Sequence, residues 1–344
     1  MIIDRSDWTV VKSSGRHTIL KKGHSSTEEW LEIRKSGLGG SDAAAVLGIS
    51  PWNSPYALWA EKTGQYAPNR SSSFYLNAGH ILEGYVASCV QDELGIELKE
   101  DTSVFCNDAH PFMLATVDRF GVDEDILVEC KTTGEYGIQH WANGVPDYYE
   151  CQVRHYMAVL EIEKAYVGVL FVPNALRQAV AAGDAVESEI ESCVFRNYVL
   201  ERDMFYESSL ISAETRFWDL VTSHTPPELD TSDATKDALM HLSTAGNQEI
   251  ATRQYTDWTR RLELKNQIAK LVKEADELDR KCIMALNGKE IATYRENPIY
   301  RWQEVSSMRL DQNALKHKEP EIYNRYMTES TYRKLVDLER REKD

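Results

Sequence analysis

Apolar positions along the chain change rhythm several times, and each rhythm predicts an element. Over residues 75–94, Ile81, Leu82, Tyr85, Val86, Cys89, Val90 and Leu94 recur three and four apart, which gives one apolar face of an amphipathic helix. Runs at Thr102–Cys106, Met113–Asp118 and Asp125–Lys131 read as strands. The last contains Ile126-Leu127-Val128-Glu129-Cys130-Lys131, a nearly continuous apolar strand interrupted by two charges. A helix over 147–160, a strand over Ala165–Val172, a strand near 193–200 and a helix near 201–221 follow. Upstream, Thr27 caps a short helix with acidic residues in its first turn, running through Arg34. Gly37-Leu38-Gly39-Gly40 breaks it, Ser41-Asp42 caps a second helix that stops at Gly48, and Ser54-Pro55 opens a third through Leu58-Trp59. This mixture predicts an α/β fold with a mixed central sheet flanked by helices.

The pattern also divides the chain. Residues 1–26 are polar, alternate weakly and read as a peripheral arm, and 27–222 form the α/β core. The segment His224-Thr225-Pro226-Pro227-Glu228-Leu229-Asp230-Thr231-Ser232-Asp233 has the composition of a linker, taken as 223–250. Beyond it Leu264, Ile268, Leu271, Ala275, Leu278, Cys282 and Ala285 alternate four and three apart, a heptad seam ended by Asn287-Gly288. The seam fits either a helix packed on its own domain or an intermolecular coiled coil. Ile291–Tyr294 and Ile299–Val305, flanking a turn at Asn297-Pro298, predict a hairpin, and a last helix starts near Asp311. Residues 251–344 are therefore expected to be a mainly helical C-terminal region.

Composition narrows the function classes. Of 344 residues, 42% are apolar, enough for a core, yet no apolar run approaches a membrane span. The N-terminus lacks the basic and apolar segments of a signal peptide, so a soluble, cytoplasmic protein is expected, with no membrane partner. None of the six cysteines (Cys89, Cys106, Cys130, Cys151, Cys193, Cys282) forms a C-x-x-C pair, which argues against a zinc ribbon. The net charge of −16 argues against a surface that grips nucleic acid everywhere; any such contact is confined to a lined channel.

One constellation carries chemistry. Glu129 and Lys131 are two apart on a strand and share a face, and Asp118 closes the preceding strand. Paired strands would set Asp118 beside Glu129, giving two carboxylates and a lysine suited to Mg²⁺ and a phosphodiester. The motif alone is weak, since Glu97-Leu98-Lys99 and Glu263-Leu264-Lys265 match it too. Its setting separates Glu129-Cys130-Lys131: charges placed inside an apolar strand are costly without a purpose. An ion pair at a sheet end is the competing reading.

Five motifs in order carry a resemblance. They are Trp30-Leu31-Glu32-Ile33-Arg34-Lys35-Ser36-Gly37-Leu38-Gly39-Gly40-Ser41-Asp42-Ala43-Ala44-Ala45-Val46-Leu47-Gly48, Gly79-His80-Ile81-Leu82-Glu83, Ala115-Thr116-Val117-Asp118, Val128-Glu129-Cys130-Lys131-Thr132-Thr133 and Tyr149-Glu150-Cys151-Gln152-Val153-Arg154-His155-Tyr156-Met157. Over about residues 27–222 the chain resembles the YqaJ viral recombinase family, relatives of phage lambda exonuclease in the PD-(D/E)xK nuclease superfamily. Val117 stands where the superfamily has proline. The resemblance implies a restriction-endonuclease-like fold and a Mg²⁺-dependent exonuclease, with Mn²⁺ able to substitute and two ions per site. It would digest linear double-stranded DNA 5′→3′ and leave 3′ tails for a single-strand annealing recombinase. It also implies Asp118, Glu129 and the Cys130 carbonyl as metal ligands, Glu83 near the metals, and Lys131 and Gln152 in catalysis. Arg34 and Ser41 would bind the DNA 5′-phosphate, with Thr116, Gln152 and Tyr156 beside it. A homo-oligomer, a trimeric ring by analogy, would thread the duplex. A restriction-type or structure-specific endonuclease and a non-catalytic DNA-binding adaptor are the alternatives. His80, His140 and His155 fit no zinc spacing and are left out of the site.

Overall fold

The computed structural model describes residues 12–13, 17–21, 32–68, 74–185, 187–242, 254–327 and 331–335. The chain divides into two compact units, Met1–Ser243 with Thr331–Asp344, and Thr244–Ser330.

In the first unit the strands are β1 (Lys12–Ser13), β2 (His17–Lys21), β3 (Leu38–Gly39), β4 (Leu98–Lys99), β5 (Val104–Asn107), β6 (Met113–Ala115), β7 (Arg119–Gly121), β8 (Ile126–Thr133), β9 (Lys164–Phe171) and β10 (Val194–Glu201). The helices are α1 (Gly40–Val46), α2 (Pro55–Lys62), α3 (Phe74–Leu94), α4 (Asp147–Leu160), α5 (Asn174–Ala182), α6 (Glu187–Glu191), α7 (Met204–Thr222) and α8 (Asp233–His241). The mixed α/β architecture is as expected, but the strands form two sheets rather than one, ordered β1-β2-β5-β6-β3 and β10-β9-β8-β7-β4. Each is mixed: β3/β6 and β8/β9 are parallel, and the other pairs antiparallel. The run read as one strand to Asp118 is broken. The chain leaves the first sheet at Ala115 and joins the second at Arg119, crossing on Thr116, Val117 and Asp118.

The second sheet is covered on both faces, which explains why β8 and β9 read as apolar runs. On one face Leu127, Val167 and Val169 pack with Val153, Met157 and Leu160 of α4. On the other, Leu170 and Cys130 pack with Ala78, Leu82 and Val86 of α3. Gly168 permits that second contact, because a Cβ there would lie 2.5 Å from the Val90 side chain.

Several boundaries differ from expectation. Strand β2, inside the segment taken as an arm, pairs with β5, and Leu20 is buried with Ile33 and Val104; the rest of 1–26 lies mostly outside the described residues. The helix expected from Thr27 is described only over 32–35; its cap lies outside the described residues. Within the segment taken as a linker, α8 docks on α2: the Ser54 and Thr235 hydroxyls lie 2.7 Å apart and Ala238 is fully buried. Its alanines at helical spacing among polar neighbours hide that contact in the sequence. Nor is 251–344 one region, since the Arg333 N–H donates to the Met240 carbonyl at 2.8 Å.

In the second unit, α9 (Tyr255–Ala285) contains the heptad seam, followed by the hairpin β11 (Ile291–Tyr294) and β12 (Asn297–Arg301), then α10 (Gln312–Lys318) and α11 (Pro320–Arg325). Leu264, Ile268, Leu271 and Leu278 are 42–63% exposed, so the seam is not packed on its own domain among the described residues. The hairpin turns at Arg295-Glu296, both left-handed (φ 49° and 69°), and Pro298 lies within β12 beside an irregularity of register. A type I′ two-residue hairpin loop has positive φ at both positions, and proline, which lacks an N–H, is tolerated where no further strand needs a donor. No helix among the described residues is long and apolar enough to cross a membrane.

Candidate active site

Alternation along β8 places Leu127, Glu129 and Lys131 on the α4 face and Cys130 on the α3 face. Antiparallel pairing sets Arg119 opposite Val128; one more step of that register sets Asp118 opposite Glu129. The Cys130 N–H donates to Asp118 Oδ2 at 2.8 Å, which fixes the aspartate at the end of the crossing between the sheets. Ser41, Glu83, Asp118, Glu129, Cys130, Lys131 and Gln152 therefore line a single cleft of about 860 Å³.

Hydrogen bonds orient the group. Lys131 Nζ lies 2.5 Å from Glu129 Oε1 and 3.2 Å from Gln152 Oε1, above the Tyr149 ring. Gln152 Nε2 donates to Glu129 Oε1 at 2.7 Å and to the Tyr156 hydroxyl at 3.1 Å. Glu129 is 3% exposed, and its Oε2 is buried with no hydrogen-bond partner. Burial, then the Glu129 and Glu83 charges, push the Asp118 carboxyl well above the usual carboxylate range. Burial opposes the charge on Lys131, but Glu129 and Asp118 outweigh it and hold the ammonium above its ordinary value. Glu83 projects from α3 and accepts from Arg119 at 2.7 Å; Arg119 also donates to the Asp118 carbonyl.

Among the described residues, no three His, Cys, Asp or Glu side chains already form a ligating cluster. Asp118 is engaged by a backbone N–H and Glu83 by Arg119. The donors nevertheless fit a hard divalent cation: they are carboxylate oxygens, one is buried and unsatisfied, and Asp118 is electrostatically strained toward protonation.

A second buried cluster lies along α4. Arg34 donates to Ser41 Oγ at 2.9 Å and Asp42 Oδ1 at 3.0 Å. Lys62 Nζ lies 2.8 Å from Asp42 Oδ2 and donates to the carbonyls of Arg34 and Gly37. Burial would raise the Asp42 pKa, but Lys62 and then Arg34 hold it well below the carboxylate range. Ser41 is not the helix cap. Gly39 is the extended capping residue, its N–H donating to Asp42 Oδ2, and Ser41 is the second residue of α1. Glycine breaks the helix earlier than the serine suggests, but Ser41 stays in the first turn. Arg34, Ser41, Thr116 and Tyr156 share a small cavity of about 100 Å³, with Thr116 exposed at its rim. Gly40 allows α1 to approach, because a Cβ there would collide with the Tyr156 ring and lie 2.9 Å from the Gln152 carbonyl.

All ten sequence-predicted residues thus fall in these two adjoining cavities, with Ser41 in both. Sequence reasoning missed Arg119, Tyr149, Asp42 and Lys62, whose partners are distant or unmarked by any motif. His155 is fully buried, with Nδ1 2.8 Å from Glu214 Oε1 and Nε2 2.9 Å from the Leu114 carbonyl. It holds α4 to α7 and β6.

Comparison with known proteins adds independent findings. Residues 29–163 match the model of the YqaJ-like viral recombinase domain. The chain is 32% identical over 332 residues to YqaJ of Bacillus subtilis (strain 168), covering 94% of this chain and 97% of that protein. Among solved structures, it is similar to an alkaline exonuclease from Laribacter hongkongensis, at 17% identity over 58% of this chain and 94% of that one (TM-score 0.44). It is also similar to a phage-related exonuclease from Haemophilus somnus 129PT, at 13% identity over 57% and 99% (TM-score 0.42).

Proposed function

The chain belongs to the YqaJ-like viral recombinase family, and from that premise we propose that it is a Mg²⁺-dependent deoxyribonuclease that digests linear double-stranded DNA from a 5′ end. The observation that carries this reading is the convergence of Asp118 and Glu129 beside Lys131, with Glu129 Oε2 buried and unsatisfied. In this reading Asp118, Glu129 and the Cys130 carbonyl hold the ion, or two ions, with Glu83 nearby, and Mn²⁺ can substitute. When bound, the cation supplies positive charge against the scissile phosphate. Gln152 and Lys131 both bind Glu129 Oε1, which leaves Oε2 as the coordinating oxygen. Lys131 is held charged, so its remaining N–H donors can stabilise negative charge developing on the phosphate.

The Arg34–Ser41 cavity would receive the terminal 5′-phosphate. Two buried cations, Arg34 and Lys62, converge there on Asp42. Arg34 supplies guanidinium N–H donors, Ser41 a hydroxyl and Thr116 a second hydroxyl at the rim. Tyr156 and Gln152 link this cavity to the carboxylates. Digestion from a 5′ end leaves a 3′ single strand, the substrate of an annealing recombinase. With a net charge of −16, a closed ring, a trimer in this reading, would keep DNA against the cleft and away from the acidic exterior.

The deciding experiment measures nucleotide release with Mg²⁺ from a linear duplex and from a covalently closed circle. Release from the linear duplex alone supports an exonuclease. Cutting of the circle would replace it with an endonuclease, and cutting of neither would remove the nuclease reading.

A further inference from the structure

Besides Lys131, the cleft contains a cation with no carboxylate partner among the described residues. Arg177, on α5, lines the same cleft as Glu129 and Lys131. Lys131 is paired with Glu129, and neighbouring Arg119 with Glu83. Arg177 has no ion-pair partner among the described residues; its Nε is buried with no acceptor, and its guanidinium lies 4.5 Å from the Tyr75 ring centroid. Burial lowers its pKa, opposed only by Tyr75 and Tyr149. A half-buried guanidinium given only an aromatic face is better stabilised when an anion completes it.

Helix α4 gives this cation its place relative to the chemistry. Tyr149, Gln152 and Tyr156 are three and then four apart and form one stripe. Tyr149 interacts with both Lys131 and Arg177, Gln152 binds Glu129, and the Tyr156 ring packs against Gly40 beside Arg34 and Ser41. Seven residues of helix span roughly 10 Å, about three nucleotides of axial rise at ~3.4 Å each. Arg177 therefore lies past the carboxylates from the Arg34 cavity.

We propose that Arg177, backed by Tyr75, is a binding site for a non-scissile phosphate of the strand being cut, on the side of the catalytic carboxylates away from Arg34 and Ser41. The site rests on the DNA-cutting reading above. Tyr75 covers one face of the guanidinium and leaves its planar N–H donors to bind two phosphate oxygens. The competing role is a structural clamp of α5 against α3, which the Asn77 side chain already joins by donating to the Ala181 carbonyl at 3.2 Å.

The test is duplex binding across a salt series, in an Asp118→Asn background so that DNA is held and not consumed, alongside digestion by the wild type. Arg177→Ala should flatten the slope of log affinity against log salt by about 0.9, the amount for one lost phosphate contact, equally on 5′-phosphate and 5′-hydroxyl ends. Arg177→Lys should keep the slope with weaker binding. If the alanine variant does not fold, Arg177→Gln should show the same flattening. An unchanged slope in a folded variant, while the wild type still digests linear DNA, overturns the Arg177 site alone. A wild type that does not digest linear duplex overturns the nuclease reading and this site with it.

Discussion

Two buried charge clusters lie along one helix and shift their aspartates in opposite directions. Beside Gln152, three carboxylates (Asp118, Glu129, Glu83) meet two cations (Lys131, Arg119). Beside Tyr156, Asp42 meets two cations, Arg34 and Lys62, and Glu61 adds a second negative charge near both. Burial acts on both alike, since it opposes every charge. The outcome differs because of the neighbouring charges: Glu129 and Glu83 drive Asp118 toward protonation, whereas Lys62 and Arg34 hold Asp42 ionised. In the proposed reading the first cluster takes a metal cation and the second a phosphate. Their adjacency is what a phosphodiester held at its end and cut nearby requires.

The comparison can be broken in graded ways. The largest effect is expected from Lys131→Ala, which should slow nucleotide release about 10²- to 10³-fold; a loss below tenfold would remove Lys131 from the chemistry. Next, Asp42→Asn removes the carboxylate that pairs with both buried cations, Arg34 and Lys62, and should cost about 3 kcal/mol at neutral pH, read by denaturant unfolding. The sign follows from its depressed pKa: its stabilisation is present above about pH 4 and is lost as pH falls through the folded-state value. The difference between variant and wild type should shrink in acid.

The same substitution at Asp118 should act in the opposite direction. Its folded pKa is raised, so the metal-free fold loses stability as pH rises from the ordinary carboxylate value through the raised one. Asp118→Asn should stabilise the metal-free protein at neutral pH by about 1 kcal/mol, while Cys130 N–H keeps an acceptor. Equal signs at Asp42 and Asp118 would dissolve the contrast between the clusters. The smallest effect concerns their link: Tyr156→Phe removes the hydroxyl that receives Gln152 Nε2 and should slow digestion about fivefold.

What the sequence revealed and what it hid divide along physical lines. The carboxylate–lysine strand was legible because apolar neighbours make its charges conspicuous, α3 because its three-and-four spacing is long, and β9 because it is a short apolar run. Lys62 was hidden, because a helical lysine reads as solvated until Asp42, twenty positions earlier in the chain, is brought against it. The crossing at Thr116–Asp118 was hidden because an apolar run does not record where pairing passes from one sheet to another. The heptad of α9 was legible as a seam, but its occupant was not: periodicity encodes an apolar stripe, whereas what covers it is a property of another surface. Arg177 and Tyr75, about a hundred residues apart, meet only through tertiary packing.

Asp118 and Glu129, in the proposed reading, jointly hold a divalent cation. Calorimetric titration of the metal-free protein with Mn²⁺, for the wild type and for Glu129→Ala, addresses it without depending on activity. The account predicts saturable binding by the wild type and its loss in the variant, with the variant still folded. Undiminished binding by Glu129→Ala would contradict it.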